Sequence, residues 1–477
     1  MWSKRVRQAM ITLLQISNYT KKVIDTHFFN SSPKSLQYPH RFLASKLNIK
    51  HRQQPAQPGS QQKEDDMYKA KMKTMAAAII TMGLAAGTIA QPAPTTSTPP
   101  PPAWKQGTTG SQATSPLHPF APHMTGRASS DLPLNKLKVP AGFQVEVWAE
   151  GIPEARSLAL GDKGTVFVSN RNLSNVYAIV DRNGKREVKV LFKGLDTPNG
   201  LVFDKGTLYV AERHRITRYD GIEDKLDSPP AAVVVVDNLD PTKQAGHFWK
   251  YLALGPDGKL YFNIGSPQNI TMPTYMEAAI VRVDPKNGEL ENYAQGVRNS
   301  VGMAFHPVTK QLWFTEHARD WISDDMPSDE LNVVSSKGEH FGFPHCFQGD
   351  FLDPQYGKNR SCSEFTPPKL NLGAHVAPLG MRFYTGEMFP AAYKNNMFIA
   401  QHGSWNRTIK QGYNVVRVTV DASGKAKSEP FLDGFMTDEK ADPPMWGRPV
   451  DVLQMPDGAM LVSDDYNGII YRVSYKK

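Results

Sequence analysis

From Phe143 onward the chain repeats one pattern six times, and few folds can accommodate that. Each unit is an apolar strand, a Gly or Pro turn, a second apolar strand, an Asp/Gly-type turn, then a third and often a fourth strand. The second unit reads VKVLFKGL, TPNGLVFD, GTLYVAE, RITRYD, and the six run over 143–181, 186–220, 231–285, 290–342, 370–421 and 429–477. Segments such as SLALGDKGTVFVSN, YLALGPDGKLYFNIG, GMAFHPVTKQLWFTE and DVLQMPDGAMLVSDD place a tight turn between two alternating strands, a hairpin signal. A four-stranded unit cannot bury both of its faces alone, whereas units stacked around an axis can. A β-sandwich seldom repeats one turn chemistry six times. The expected fold is therefore all-β, a six-bladed β-propeller of four-stranded antiparallel blades. Insertions at 320–330 and 343–370 should form loops at one end of the disc, where sites usually lie.

The net charge of +9 suggests a nucleic-acid partner until its distribution is read. Residues 1–66 hold 11 Lys/Arg against 4 Asp/Glu, and Lys69, Lys71 and Lys73 add three more charges, leaving −1 for everything after them. The folded part has no cationic excess with which to track phosphates, so no nucleic acid is expected.

Those lysines precede an apolar run, Met75 to Ala90, that ends in small residues with Thr88 and Ala90 at the spacing of a signal-peptidase site. At 16 residues it falls short of the roughly 20 that span a bilayer. The expectation is a signal peptide over 67–90, a periplasmic or secreted product, and no stable membrane span once the signal is removed. Residues 1–66 read as an over-extended start or a disordered extension, and 91–130, rich in Pro, Ser and Thr, as a linker. The propeller domain is expected over 131–477. Cys346 and Cys362 lie 16 positions apart and read as a disulfide in an exported protein.

The segments GHFWKYLALGPDGKLYFNIG (246–265), YAQGVRNSVGMAFHPVTKQLWFTEHARD (293–320), DELNVVSSKGEHFGFPHC (329–346), AQHGSWNR (400–407) and WGRPVDVLQMPDGAMLVSDDY (446–466) resemble the glucose/sorbosone dehydrogenase family. These are propellers that depend on pyrroloquinoline quinone (PQQ), and the similarity is to the sorbosone-dehydrogenase-like branch. The resemblance implies that His247 takes a proton from the sugar while a hydride passes to the quinone, chemistry that asks for a base tuned near the working pH. It implies that Arg298 faces the reactive carbonyl of the cofactor, with Asn299 beside it and Gly296 and Gly302 giving tight turns. Arg448 matches an arginine gripping the PQQ carboxylates. A second family arginine is replaced by Val450, and Arg407 stands nearest to an absent lysine. Calcium is implied on the backbone carbonyls of Ala318 and Arg319, with Asp329, or the acidic run Asp324, Asp325, Asp329 and Glu330, as a further candidate. Asn199 and Arg213 are candidates for lining the pocket.

Three classes of function follow. The first is a PQQ-dependent dehydrogenase oxidising an aldose or a sugar aldehyde such as sorbosone, with electrons leaving to an external acceptor, a cytochrome or a quinone. The second is a metal-dependent lactone hydrolase of the gluconolactonase kind, with Glu212, Asn263, Glu316 and Asp464 as metal-facing candidates. The third is a propeller that binds without chemistry.

Overall fold

The computed structural model describes residues 126–240, 246–274, 276–438 and 444–476. The expected signal peptide and the extension before it lie outside the described residues, as does nearly all of the linker. Among the described residues, helix is confined to three-residue 3-10 turns, and no helix is long and apolar enough to cross a membrane.

Six four-stranded antiparallel sheets form the propeller. Blade 1 comprises Ala155–Leu160, Val166–Asn170, Asn175–Arg182 and Lys185–Phe192, ordered from the axis outward, and blade 2 runs from Leu201–Asp204 to Val233–Val236. Blade 3 runs from Ala253–Leu254 to Leu290–Gln295, blade 4 from Met303–Phe305 to Leu370–Ala374, and blade 5 from Pro378–Phe383 to Ala426–Leu432. Blade 6 takes three strands from the C-terminal part, Pro449–Gln454, Met460–Asp464 and Ile469–Tyr475. Its fourth is Phe143–Ala149, paired antiparallel from Phe143↔Tyr475 to Ala149↔Ile470.

That closure corrects the phase of the repeat. Each sequence unit opens on the outermost strand of the preceding blade, so blade boundaries fall one strand later than the pattern suggests. Apolar alternation locates strands but does not reveal which of two neighbours a strand pairs with. The joint is packed: the Phe143 ring lies 4.8–5.1 Å from those of Phe389, Tyr393, Phe431 and Tyr475.

Strand direction decides where function can sit. The innermost strand of every blade starts at one face of the disc, and the second, antiparallel to it, ends at that face. Pairs such as Ala155↔Asn170, Pro378↔Gln401 and Pro449↔Asp464 mark this level. Residues just before a first strand and just after a second strand therefore converge from six blades on one rim.

Within the blade 4 insertion the disulfide Cys346–Cys362 forms, with a Cα–Cα distance of 5.5 Å. It closes a loop whose Phe343 and Phe347 pack against Ile270 and Ala318. In the chain-entropy model such a crosslink contributes roughly 3 kcal/mol.

Candidate active site

At that rim a cavity of about 410 Å3 opens, walled by His247, Trp249, Asn269, Arg298, Asn299, His317, Asp320, His375 and Trp405, among others. His247 precedes the first strand of blade 3, and its Nδ1 lies 2.8 Å from the carbonyl oxygen of Ser266, after the second strand. A carbonyl only accepts, so Nδ1 carries the proton and Nε2 keeps its lone pair. Gly265 makes this possible, because a Cβ there would fall 2.4 Å from the His247 carbonyl oxygen. Burial, and then the nearby Arg298 charge, hold the imidazole well below the usual histidine range. The result is a neutral base.

Arg298 is 2% exposed and lines the cavity. Nε donates to Asn269 O at 2.8 Å. Nη1 donates to His317 O at 3.1 Å and Ala318 O at 2.8 Å. Nη2 donates to Asn269 Oδ1 at 2.8 Å and Asp320 Oδ2 at 3.0 Å. A guanidinium has five donors, so all are committed to protein and none is left to face a cofactor carbonyl. Arg298 ties blade 3 to blade 4, and its charge reaches the cavity through space. Asn299 does face the cavity: Nδ2 donates to His317 Nδ1 at 3.0 Å, while its buried Oδ1 lacks a partner among the described residues. His317 gives its Nε2 proton to Pro378 O at 2.9 Å and is pushed down to about 4 by burial.

Of the two carbonyls expected to hold calcium, that of Ala318 accepts from protein. The Ala318 carbonyl already faces a cation, the Arg298 guanidinium. The Arg319 guanidinium makes a buried ion pair with Asp353 at 2.6 Å, inside the disulfide loop. Asp329 accepts from the amides of Ala318 (2.9 Å) and Ala377 (2.8 Å), and burial pushes it up to about 8. Glu330 accepts from Asn332 and the Gln348 amide. Among the described residues no three His, Cys, Asp or Glu side chains converge on a metal position.

Arg407 binds Asp325 at 2.7 Å and the Asp324 carbonyl, pinning the 320–330 loop. Asn199 bridges Arg156 (3.1 Å) and the Lys250 carbonyl (3.2 Å) and does not wall the cavity. Arg213 pairs with Asp240 and lies over the Phe248 ring.

Beside the cavity lies a cationic hub, of which only Arg448 was anticipated. Arg156 donates to Asp465 at 2.8 Å, and His402 Nε2 lies 2.9 Å from both oxygens of the same carboxylate. Arg448 donates to His402 Nδ1 at 2.7 Å. Arg171 lies 4.3 Å above the Trp249 ring and so links the hub to the cavity wall. Burial alone would raise Asp465, but His402, Arg448 and Arg156 hold it well below the carboxylate range. Burial, and then the Arg156 charge, pull Arg171 down to about 9. Arg171 Nε, Arg448 Nε and Nη1, and Trp249 Nε1 are buried without a hydrogen-bond partner among the described residues. Unsatisfied buried donors are costly, and here they gather in one place. Arg156 is the second residue of the first strand of blade 1 and Arg171 directly follows its second strand, which brings both to the same rim as His247.

Each of the hydrolase candidates has a local protein partner. Glu212 pairs with Arg215, Asn263 ties the Tyr251 amide to the Trp249 carbonyl, Glu316 accepts from the Arg298 amide, and Asp464 accepts from the Arg448 amide.

A sequence profile described as TrAA12-like matches residues 137–476. An uncharacterized protein of Borreliella burgdorferi is 33% identical over 353 residues, covering 72% of this chain and 91% of that protein. The pyrroloquinoline quinone-dependent pyranose dehydrogenase of Coprinopsis cinerea is 24% identical over 71% of this chain, which spans only about half (54%) of that enzyme. An aldose sugar dehydrogenase of Escherichia coli is 25% identical over 54% of this chain and 67% of its own length. Among solved structures, an AA12-family enzyme of Trichoderma reesei superposes with a TM-score of 0.62 at 20% identity, over 71% of this chain and 97% of its own. The holo PQQ domain of the Coprinopsis cinerea enzyme gives 0.59 at 20% identity, over 74% and 98%. These superpositions share the six-bladed fold. With a profile matched across the whole propeller, the chain belongs to the TrAA12-like family.

Proposed function

We propose that this protein is an exported PQQ-dependent dehydrogenase that oxidises an aldose or a sugar aldehyde, sorbosone-like, with His247 as general base. The observation that carries the reading is the His247 imidazole, its Nδ1–H fixed on Ser266 O and its free Nε2 on the wall of a sugar-sized cavity. Named relatives that act on sugars through PQQ support it.

The residues fit the cofactor. Unpartnered guanidinium nitrogens of Arg171 and Arg448, with Arg156 behind them, suit a flat acid bearing several carboxylates. Trp249 offers a ring face and an open N–H, and Asn299 an open carbonyl oxygen. Bound PQQ supplies the two-electron acceptor for the hydride that leaves the substrate carbon. His247 Nε2 takes the proton of the hydroxyl on that carbon, which for a sugar aldehyde is a hydroxyl of its hydrate. Arg298 holds Asn269, Asp320 and the 317–318 backbone in place, and its charge favours developing negative charge nearby. No step is assigned to calcium. Electrons then pass to an external acceptor, a cytochrome or a quinone.

The test is to titrate purified protein with PQQ, follow the cofactor absorbance, and assay dye reduction with a panel of aldoses. Stoichiometric binding with sugar-dependent reduction is expected; lactone opening without PQQ would overturn the reading.

The pH profile carries a second expectation. His247 acts only when neutral, and its folded pKa lies well below 6.5. Activity governed by this group is therefore fully present above 6.5 and lost as pH falls through the depressed value, so the acid limb of kcat/KM should lie well below pH 6.5. An acid limb at or above 6.5 would remove His247 from the role.

A further inference from the structure

Histidines near the cavity come in two kinds. His317 and His402 have both ring nitrogens engaged, as described above. His247 has one nitrogen fixed on a backbone carbonyl and the other without a partner among the described residues, and His375 repeats that design. Its Nε2 lies 2.9 Å from Ser323 O, so the proton sits there, and Nδ1 is left an acceptor without a partner among the described residues.

The backbone is built to present this side chain. His375 is 6% exposed, walls the same cavity as His247, and takes φ +60°, in the left-handed region that few residues other than glycine adopt. Ala377 follows at φ +52°. The bend is clamped on each side: Asp329 Oδ2 accepts the Ala377 amide, and Gln411 donates to the Ala374 carbonyl.

We propose that His375 is a substrate-specificity residue, its Nδ1 accepting a hydrogen bond from a second hydroxyl while His247 serves the reacting one. The substrate class is then a polyol with at least two hydroxyls, in preference to a simple alcohol. Naming that polyol a sugar rests on the dehydrogenase reading above.

Two variants test it. His375→Gly removes the acceptor and suits φ +60°, and His375→Asn keeps an acceptor on a residue that tolerates this conformation. Aldoses and their singly deoxygenated analogues would be titrated against each protein by tryptophan fluorescence, since Trp249 and Trp405 wall the cavity, with and without PQQ. Steady-state dye reduction would follow, and thermal melts would confirm folding. In His375→Gly, the KM for the parent aldose should rise about tenfold with kcat nearly unchanged. His375→Asn should recover most of the loss, and one deoxy analogue should bind wild type and His375→Gly alike. Equal losses for every analogue, no rescue by Asn, or a fall in kcat at constant KM would overturn the proposal. Wild-type protein that fails to shift the PQQ absorbance would instead sink the dehydrogenase reading, while the sugar titration without cofactor still decides on His375.

Discussion

His247→Gln should lower kcat/KM for the preferred sugar by about 10²- to 10⁴-fold, the usual worth of a positioned general base. Glutamine approximates the shape of the imidazole but has no nitrogen able to take a proton at neutral pH. The Ser266 carbonyl that fixes His247 lies at the end of a buried strand pair, and the unpartnered nitrogens of Arg171 and Arg448 lie in other blades. PQQ affinity should therefore change by no more than a few-fold. The variant would be compared by dye-linked kinetics and by cofactor absorbance. Retention of more than a tenth of wild-type activity would require another base, and loss of PQQ binding would place His247 in the cofactor cradle.

Arg298→Lys should fail for a different reason. Lysine keeps the positive charge but offers three donors from a single nitrogen, where five separate hydrogen bonds now reach Asn269, His317, Ala318 and Asp320. At least two buried acceptors lose their partner, at about 1–3 kcal/mol each. The expected outcome is a loss of about 3–5 kcal/mol, a Tm lower by roughly 5–10 °C, and a cavity that binds PQQ poorly even at low temperature. A melt within about 2 °C of wild type, with kcat alone reduced, would return Arg298 to the catalytic role that the family resemblance implies.

The sequence made the architecture legible because turn chemistry repeats with strand spacing, and six copies of one hairpin leave little freedom. It did not show the phase of the blades, which depends on a strand near residue 143 finding one near residue 475. The disulfide was recognisable from the spacing of Cys346 and Cys362, and the structure places His247, singled out by its flanks, on the cavity wall. Arg298, Arg407 and Asp329 were each assigned to cofactor or metal, yet each is held by a nearer partner: Asn269 and Asp320, the 324–325 loop, and two backbone amides. Which of several close acceptors a long side chain reaches is settled by loop shape, and loop shape is not written in local pattern. Arg156, Arg171 and His375 went unread for the opposite reason. Their neighbourhoods look ordinary along the chain and become notable only when six blades bring them to one rim.

The pairing of Phe143–Ala149 with Ile469–Tyr475 also constrains how the molecule is made. Its two partners lie roughly 330 residues apart, so the disc stays an open arc throughout synthesis of the first five blades. During that interval the 143–149 strand and the exposed flank of blade 1 have no neighbour, and the chain must be kept from pairing with other copies of itself. Pairing of the 469–475 strand with 143–149 converts the arc into a ring. The Arg156–Asp465 ion pair spans the joint between blade 1 and blade 6, so it depends on that closure.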